Sequence, residues 1–401
     1  MDVGDEIELE VTKVVHGGDG LSRHDGFVIF VHGGLPRERV LARVYSVKKS
    51  HAFAQLLEVL TPSSQRVPHI WPEADVSRPP DQRAGGADYG HIDLTYQRAL
   101  KMDIVRDALI RQGGIDEDQI SGLRVQALPG DEEGLRWRSR ITLHVGPDGR
   151  AGPYAEKSHR VIPVESLPLA AESIEALGVH QSDWTGNKQV RVVDPSRGQE
   201  RLIVDQQKPQ DIIERCAGRD FVLSDQSFWQ VHHHAAETLH QAVRDALSGL
   251  SIDPDGHHLD LYGGVGLFAD ALGQHFGRAA SMTVVESDPL AARYTARNLV
   301  DYPNATAATE EVKSFLRHYR PESQVGVVVL DPPRSGAKDE VVKRVSSLSP
   351  RAVVYVACDP VALGRDLRTF REQGYELSSL RGFDLFPHTH HVETIALLVP
   401  N

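Results

Sequence analysis

The strongest constraint on the fold is a series of short apolar segments that alternate with helical ones through the last part of the chain. Near-continuous apolar runs are typical of parallel strands that are buried on both faces of a sheet. Such runs recur at 258–261 (HLDL), 282–286 (MTVVE), 325–330 (VGVVVL), 353–356 (VVYV) and 394–399 (TIALLV). The pattern predicts an α/β fold with a doubly wound parallel sheet, in which ligands bind at the carboxyl ends of the strands.

The preceding residues form two further regions. Residues 1–61 alternate apolar and polar side chains in short segments broken by glycines, which predicts a small β-barrel. A proline-rich stretch follows, and residues 62–215 mix a helical segment with strand-like pieces, as in an α+β domain. A chain of 401 residues has room for several cores, and we expect domains at 1–61, 62–215 and 216–401.

Composition restricts the cellular compartment and the kinds of partner that the sequence predicts. Its two cysteines are too few for a disulfide framework or a thiolate metal site, which favours a reducing cytoplasm. The first residues do not read as a signal peptide, and no apolar run is long enough to span a membrane. The net charge of −12 opposes indiscriminate binding of nucleic acid, so any nucleic-acid partner must be held by local basic patches.

The barrel and the central region each carry a cluster of basic residues that are candidate contacts to an RNA backbone. These clusters comprise Arg37, Arg43, Lys48 and Lys49 in the barrel, and Arg136, Arg138 and Arg140 with Lys157 and His159 in the central region. A solvated strand face would give the same pattern.

A glycine-rich turn, DLYGGVGLFADALG, follows the first strand of the doubly wound region. Gly263, Gly264 and Gly266 allow a tight turn and a close approach to a ligand, and Asp260 fixes the turn or reaches the ligand. Glu286 ends the next strand, where its carboxylate would accept the ribose hydroxyls of an adenosine. A plain turn or a dinucleotide site would look similar, but Ala269 replaces the third glycine of the dinucleotide motif, which favours S-adenosylmethionine.

The segment VVVLDPPRSGA places Asp331 at the end of a strand, beside the predicted glycine loop. The two prolines that follow it indicate a fixed loop, although a purely structural turn has the same sequence. Amino-methyltransferases carry a similar Asp-Pro-Pro followed by an aromatic residue. Arg334 stands at that place here, which counts against methylation of an exocyclic amine.

Cys358 ends the strand of VVYV, on the same rim as Asp331. A free cysteine is usually a small buried hydrophobe. The chemistry that needs a thiolate beside S-adenosylmethionine is methylation of a pyrimidine at C5, because that carbon becomes nucleophilic only after a thiolate adds at C6. A base must then remove the C5 proton, and Glu393, in FDLFPHTHHVET, is the candidate.

Histidines near Glu393 offer a competing interpretation. His388, His390 and His391 would suit a metal ion, but their placement lacks a closing carboxylate geometry, so no metal is expected. The second histidine run, His232–His234, predicts a helix start with outward polar side chains and no metal.

Several motifs together resemble the bacterial RNA 5-methyluridine methyltransferases that act on tRNA and 23S rRNA. They are DQSFWQV, LDLYGGVGLFA, VVESDP, LDPPRSG, VYVACDPVALGRDL and FDLFPHTHHVET, and HGGDGLSRHDGFVIFVHGGLPRERV resembles a TRAM domain, an RNA-binding barrel. The resemblance implies that Cys358 is the nucleophile and Glu393 the proton acceptor. It also implies that Gln230, Tyr262, Glu286 and Asp331 contact S-adenosylmethionine.

The sequence departs from that family at several positions. Many members hold an iron–sulfur cluster on four cysteines, but those places are Arg78, Ala84, Ala87 and Leu167 here, so no cluster is expected. Leu267 replaces a frequent asparagine after the glycine loop, which puts one cofactor contact in doubt. Cys216 matches no functional position and is interpreted as packing.

The sequence therefore predicts a monomeric S-adenosylmethionine-dependent methyltransferase that acts on C5 of a uridine flipped out of its RNA. The barrel slightly favours rRNA over tRNA as the substrate. Two alternatives stay open at this stage: an RNA cytosine-C5 methyltransferase, and a non-catalytic RNA-binding relative. The pairing of Cys358 with Glu393 argues against the second.

Overall fold

The first six strands of the computed structural model, which describes residues 1–156 and 158–401, form one curled sheet. They are β1 (Glu6–Glu10), β2 (Lys13–Val14), β3 (Gly20–His24), β4 (Phe27–His32), β5 (Arg39–Val47) and β6 (His51–Thr61), in the order β1-β5-β6-β4-β3-β2. The two edge strands are separated only by Val11 and Thr12, so the sheet curls until its edges meet. Its inward side chains, such as Ile29 and Ala54, form a core of their own, and the predicted barrel is confirmed.

The central region contains an antiparallel sheet. It is built from β8 (Arg140–Val145), β9 (Ala151–Gly152), β10 (Gln189–Val193) and β11 (Arg201–Val204), with the short helix α2 (Glu172–Ala176) and the hairpin of β12 (Asp211–Cys216) and β13 (Arg219–Ser224). The predicted boundary between residues 215 and 216 lies inside β12, whose pairing with β13 runs through Cys216. The division into three domains remains a prediction.

Residues from the central region also complete the last domain. Helix α1 (Leu94–Ala108) begins at Asp93, whose side chain accepts the N–H of Tyr96, and it packs against the last helix of the chain. Strand β7 (Val125–Gln126) joins the large sheet as its edge. Val105 and Val125 thus belong to the same apolar core as Leu259, a burial pattern that the local sequence does not reveal.

An eight-stranded sheet forms the last domain, in the order β16-β15-β14-β17-β18-β20-β19-β7. Its other strands are β14 (His257–Leu261), β15 (Ser281–Glu286), β16 (Ala305–Thr309), β17 (Val325–Leu330), β18 (Ala352–Ala357), β19 (Tyr375–Phe383) and β20 (Glu393–Pro400). The helices are α3 (Ala235–Leu247), α4 (Leu267–Phe276), α5 (Pro289–Asn298), α6 (Val312–His318), α7 (Lys338–Ser347) and α8 (Pro360–Glu372). Alternate residues of β17 enter cores on opposite faces of the sheet, which confirms the doubly wound α/β prediction.

One prediction about this sheet is wrong. The strand at 394–399 was expected to be parallel, but β20 runs antiparallel to β18, with Val353 opposite Leu398. It inserts between β18 and β19 and pairs antiparallel with both. Strands buried on both faces have the same apolar pattern in either direction, so the sequence does not reveal this reversal. Among the described residues, no helix combines the length and the apolarity needed to cross a membrane.

A half-buried histidine, His32, joins the barrel to the central region. The Nδ1 atom of His32 lies 2.9 Å from Asp19 and its Nε2 atom lies 3.0 Å from Glu156, which also pairs with Arg83. Burial by itself would lower the pKa of His32, but the hydrogen bonds with Asp19 and Glu156 raise it to about 9.

This histidine should stabilise the protein in a pH-dependent manner. Because the folded pKa of His32 lies above its unfolded value, its stabilisation is complete below about pH 6.5 and is lost as the pH rises through about 9. His32→Gln should lower the free energy of unfolding by roughly 2–3 kcal/mol near pH 6 and by much less near pH 9.5. Urea unfolding at both pH values measures this difference, with His24→Gln, at a partly exposed position of the same barrel, as the control. An equal loss at both pH values would contradict the prediction.

Candidate active site

The glycine loop joins β14 to α4 through a strained turn. Tyr262 has φ of 65°, Gly264 of 56° and Gly266 of 94°, and a Cβ at Gly263 would lie 2.2 Å from a methyl group of Val284. Glycine is therefore required at 263 by close packing and is favoured at 264 and 266 by positive φ. The loop opens on the carboxyl edge of the parallel strands, as the sequence predicts.

Asp260 fixes this loop from below. One of its carboxylate oxygens accepts the N–H of Ala269 at 2.9 Å, and the other is buried without a hydrogen-bond partner among the described residues. Burial raises the pKa of Asp260 to about 7, and the charges of Asp331 and Glu286 act in the same direction. An unsatisfied buried oxygen beside a ligand loop is a place where an added donor would be stabilising.

Glu286 ends β15 beside the same loop. Its carboxylate accepts the N–H of Gly264 at 3.0 Å and that of Asp288 at 2.7 Å. Together with Tyr262 it lines a cavity of about 910 Å³ that extends to Glu311 and Val312, where the chain passes from β16 into α6. Neither of these last two residues was predicted, because the polar strand ATAAT before them does not show a buried-strand pattern.

Cys358 lies where β18 ends and α8 begins. The next residue, Asp359, caps α8 by accepting the N–H of Ala362 at 2.8 Å. The half-buried thiol lines a cavity of about 80 Å³ with Arg334, His390 and His391 on one side and His16 of the barrel on the other. A hydrogen bond of 3.0 Å between His16 and Asp359 links the barrel directly to the residue after the thiol.

Glu393 lies opposite this thiol in the pairing of β18 with β20. Ala357 of β18 is paired with Thr394 of β20, so the next antiparallel position places Cys358 opposite Glu393. The Glu393 side chain is buried, and burial with the nearby charge of Asp331 raises its pKa well above the usual value. Burial and the charges of Glu393 and Asp331 likewise raise the pKa of Cys358 to about 12, while Arg334 opposes the shift.

Asp331 is the third acidic group of the rim. It follows β17, and its N–H is bonded to the carbonyl of Leu261 at the end of β14, which places it between the glycine loop and Cys358. Burial raises the pKa of Asp331 to about 7. The site thus brings together a thiol and two carboxyl groups that all hold their protons more firmly than usual, and a cluster of strongly shifted pKa values at one rim marks a candidate catalytic site.

The histidines before Glu393 hold the loop between β19 and β20. His388 bonds to Gln97 and to the carbonyl of Glu133, and His390 lies 2.6 Å from Asp88. His391 lies 3.4 Å from Arg334. Across the part of the chain that the structure describes, no group of His, Cys, Asp and Glu residues is arranged to hold a metal ion.

The other histidine run differs from its prediction. His232 was expected to point outward, but it is buried, bonded to Asp131 at 2.8 Å and stacked on Trp137. An imidazole that is hydrogen-bonded to a carboxylate can be buried in a core, so a polar residue type at this position did not indicate exposure. His233 and His234 are exposed as predicted.

Two of the predicted RNA contacts in the central region have partners within the protein, and their contact with RNA remains a prediction. Arg140 binds Glu214 at 2.6 Å and the carbonyl of Ser227, with a side chain only 10% exposed. Arg138 is half-buried, and its guanidinium lies over the ring of Trp137. Both arginines therefore face partners inside the protein. Arg136 is partly exposed but pairs with Glu175, and Lys157 lies outside the described residues.

The basic residues of the barrel are more accessible. Arg37, Lys48 and Lys49 are exposed, and Arg43 is exposed but bound to Glu6 at 2.6 Å. Gln230 is half-buried between β13 and α3. Their contacts with RNA or cofactor remain predictions.

Apolar core residues stand at three of the positions where many family members carry cluster-binding cysteines. Ala84, Ala87 and Leu167 lie in the apolar core of the central region, and Leu267 is buried at the start of α4. Beside them the guanidinium of Arg83 binds the carbonyls of Val76 and Arg78. Cys216 is buried in the core, and burial raises its pKa.

Comparisons with known proteins cover almost the whole chain. Residues 172–400 match the family model described as tRNA (Uracil-5-)-methyltransferase, and residues 2–57 match the TRAM domain. A Streptomyces avermitilis protein named as an uncharacterized RNA methyltransferase is 34% identical, over 99% of this chain and 99% of that protein. The 23S rRNA (uracil(1939)-C(5))-methyltransferase of Shewanella sediminis is 27% identical, over 98% of this chain and 95% of that protein.

A solved structure shows the same fold. The Pyrococcus abyssi tRNA (uracil-54, C5)-methyltransferase in complex with S-adenosyl-L-homocysteine superposes with a TM-score of 0.70. The match covers 98% of this chain and 100% of that chain, at 21% sequence identity. The arrangement of barrel, central sheet and doubly wound domain is therefore shared with an experimental structure.

Proposed function

Because this chain belongs to the family of the RNA uracil-C5 methyltransferases, we propose that Cys358 is its nucleophile and Glu393 its proton acceptor. The enzyme methylates C5 of uridine in RNA, and S-adenosylmethionine supplies the methyl group. The observation that carries the residue assignment is the register of β18 and β20, which sets the thiol and the buried carboxyl opposite each other at the rim.

The chemistry follows from the two groups. The Cys358 thiolate adds to C6 of the uracil, which turns C5 into an enolate carbon able to accept a methyl group. Glu393 then takes the proton from C5, and re-formation of the C5–C6 double bond expels the thiolate. The raised pKa of Glu393 suits this role, because a more basic carboxylate holds the abstracted proton more firmly.

The cavity beside the glycine loop fits S-adenosylmethionine. Glu286 would accept the ribose hydroxyls, and Tyr262 with the backbone of Gly263, Gly264 and Gly266 would border the ligand. Asp260, whose second oxygen lacks a partner, and Asp331 would meet its polar groups, and Gln230 is the remaining candidate. With Cys216 and Cys358 as the only cysteines, the chain lacks the four thiolates that a cluster needs, so we infer that it works without one.

The target uridine must leave its stack to reach Cys358. The thiol lines a small cavity between the barrel and the catalytic domain, where a base inside a helix could not present C6 to it. We favour rRNA over tRNA as the substrate, on the basis of the barrel and of the Shewanella relative that acts on 23S rRNA.

Loss of the protein should remove one specific modification. Total RNA from a strain that lacks the gene should lose 5-methyluridine from one RNA class, measured by mass spectrometry of nucleosides from separated rRNA and tRNA. Reintroduction of the unmutated gene should restore it. Unchanged 5-methyluridine in both fractions would contradict the proposed function, and a loss confined to tRNA would contradict the rRNA assignment.

Removal of the Glu286 carboxylate should weaken cofactor binding. Glu286→Ala is expected to lower the affinity for S-adenosylhomocysteine by roughly 10- to 100-fold, the effect of losing charged hydrogen bonds. The affinity of Glu286→Gln protein should lie between those of the unmutated protein and Glu286→Ala, since glutamine keeps an oxygen that accepts the N–H of Gly264. Isothermal titration calorimetry measures the affinities, with Glu310→Ala as the control outside the cavity. Unchanged affinity of Glu286→Ala would remove this residue from the site.

A further inference from the structure

Three histidines line the small cavity beside the thiol: His16, His390 and His391. Two of them have partners for their Nε2 atoms. That of His16 lies 3.0 Å from a carboxylate oxygen of Asp359, and that of His391 lies 3.4 Å from the guanidinium of Arg334. His390 differs from both, because it forms its side-chain hydrogen bond through Nδ1, which leaves Nε2 for another partner.

The partner of His390 is Asp88, which precedes α1 in the chain. Its Oδ2 atom lies 2.6 Å from Nδ1 of His390 and also accepts the backbone N–H of His390 at 3.0 Å. Burial would raise the pKa of Asp88, but the hydrogen bond with His390 and the charges of neighbouring histidines lower it. The carboxylate is therefore ionised and accepts the Nδ1 proton. An imidazole that donates from Nδ1 to a carboxylate presents Nε2 as a proton acceptor.

Contacts from two other segments hold this pair in place. The N–H of Tyr89 bonds to the carbonyl of His388 at 2.9 Å, which ties the segment of Asp88 to the loop between β19 and β20. Gly18 of the barrel has φ of 89°, and a Cβ there would lie 3.1 Å from Cβ of His390 and 3.2 Å from Oδ2 of Asp88. The His390 side chain is still 28% exposed. The imidazole is thus held in one orientation and remains accessible to a small solute.

The thiol needs a base before it can attack. Burial and the charges of Glu393 and Asp331 raise the pKa of Cys358 to about 12, so the thiol keeps its proton near neutral pH. Only the thiolate is the nucleophile. Glu393 accepts the C5 proton in the later step, and a carboxyl already protonated by the thiol could not do so. His391 is a weak base, because burial and neighbouring positive charges lower its pKa.

We propose that His390 is the general base that activates Cys358, and that Asp88 orients the imidazole for this step. A nucleophile, a base and an orienting carboxylate form the arrangement by which proteins activate a weak nucleophile. The inference rests on the proposed function for its reaction, and it adds a group that removes the thiol proton.

The protons and electrons of this step balance over the whole reaction. The Sγ–H proton passes to Nε2 of His390 while the sulfur electron pair forms the bond to C6, and the π electrons of the C5–C6 bond move into the enolate. After methyl transfer, Glu393 removes the C5 proton, the C5–C6 double bond re-forms and the C6–S bond breaks. The released Cys358 thiolate then takes its proton back from His390.

The rate of covalent adduct formation tests the base. RNA that carries 5-fluorouridine retains the adduct, and rapid quenching with denaturing electrophoresis measures its rate near pH 7. His390→Ala should slow adduct formation by about 100-fold or more, the usual contribution of a general base. Added imidazole should restore much of the rate, since it can enter the space that the partly exposed ring leaves. His318→Ala, at the exposed end of α6, is the matched control and should neither slow the reaction nor respond to imidazole.

A second measurement follows the thiol without RNA or cofactor. In a Cys216→Ala background the chain has one thiol left, so mass spectrometry of iodoacetamide-treated protein gives the alkylation rate of Cys358. His390→Ala should slow this alkylation by at least about 10-fold, and imidazole should again restore it. Asp88→Asn should slow it less, because the amide oxygen still accepts from Nδ1.

A third variant separates the base from the packing of the ring. His390→Gln fills most of the space and can still donate to Asp88, but its amide cannot accept the thiol proton. It should slow adduct formation and alkylation as much as His390→Ala does, without a response to imidazole.

Unmutated rates of adduct formation and alkylation in His390→Gln protein would overturn the proposal. So would a loss in folded His390→Ala protein that imidazole does not restore, because the ring would then only pack. An equal slowing of adduct formation by Glu393→Gln would assign the thiol proton to Glu393 instead. Failure of the proposed function is a different result, in which Cys358→Ala protein still forms the adduct, whereas alkylation reports on His390 and the thiol without any substrate.

Discussion

Cys358→Ala protein is expected to form no covalent adduct with RNA and to lose at least about 10⁴-fold in the rate of methyl transfer. Without the thiolate, nothing adds at C6, and C5 stays too weak a nucleophile to accept a methyl group. Glu393→Gln should fail at a later step. Its thiolate still adds and C5 is still methylated, but the C5 proton cannot leave, so protein and methylated RNA remain joined through Cys358.

Denaturing electrophoresis with labelled S-adenosylmethionine and substrate RNA distinguishes these failures. RNA that carries 5-fluorouridine should trap the unmutated enzyme in the same way, because fluorine cannot leave as a cation. Cys216→Ala is the matched control, since it removes the chain's other thiol, which is buried, and should leave the adduct intact. A covalent band or methylated RNA from Cys358→Ala protein would show that this thiol only packs.

The candidate site was largely predictable because Asp331 and Cys358 stand where apolar strands end. The parallel strands β17 and β18 are each followed at once by a polar or reactive residue, Asp331 and Cys358, and parallel strands bring such residues to one edge. The glycine loop and Glu286 follow the same rule. Glu393 reaches the same edge from the start of the antiparallel strand β20. The motif resemblance then named the family, and the family match confirms it.

Features that depend on contacts between distant segments were not predictable in this way. Arg140 looked like an RNA contact because its carboxylate partner, Glu214, lies 74 residues away. Strand β16 was missed because its alanines and threonines are partly exposed at the edge of the sheet. The bond from His16 to Asp359, which ties the barrel to the turn that follows Cys358, joins residues 343 positions apart.

The segment that positions Glu393 depends on one such distant contact. Asp384, which precedes the histidine loop, is fully buried and lies 2.5 Å from the equally buried Lys101 of α1. Lys101 also donates to the carbonyl of Phe386 at 3.0 Å, and Arg98 contacts the second oxygen of Asp384. Because α1 is contributed by the central region, this pair couples that region to the catalytic loop.

Lys101→Met should therefore be among the most destabilising substitutions in the chain. It leaves one oxygen of Asp384 buried without its donor and removes one of the donors to the carbonyl of Phe386, which Thr389 still binds, and breaking a buried pair from one side costs about 3–5 kcal/mol. Urea unfolding measures the loss, and the exposed pair of Lys313 with Glu340 supplies the control, because Lys313→Met should cost less than about 1 kcal/mol. The yield of adduct with 5-fluorouridine RNA should fall in Lys101→Met protein even where it is still folded, since the loop that carries His388 to Glu393 loses its anchor. If both lysine substitutions cost the same, the buried pair does not hold this loop.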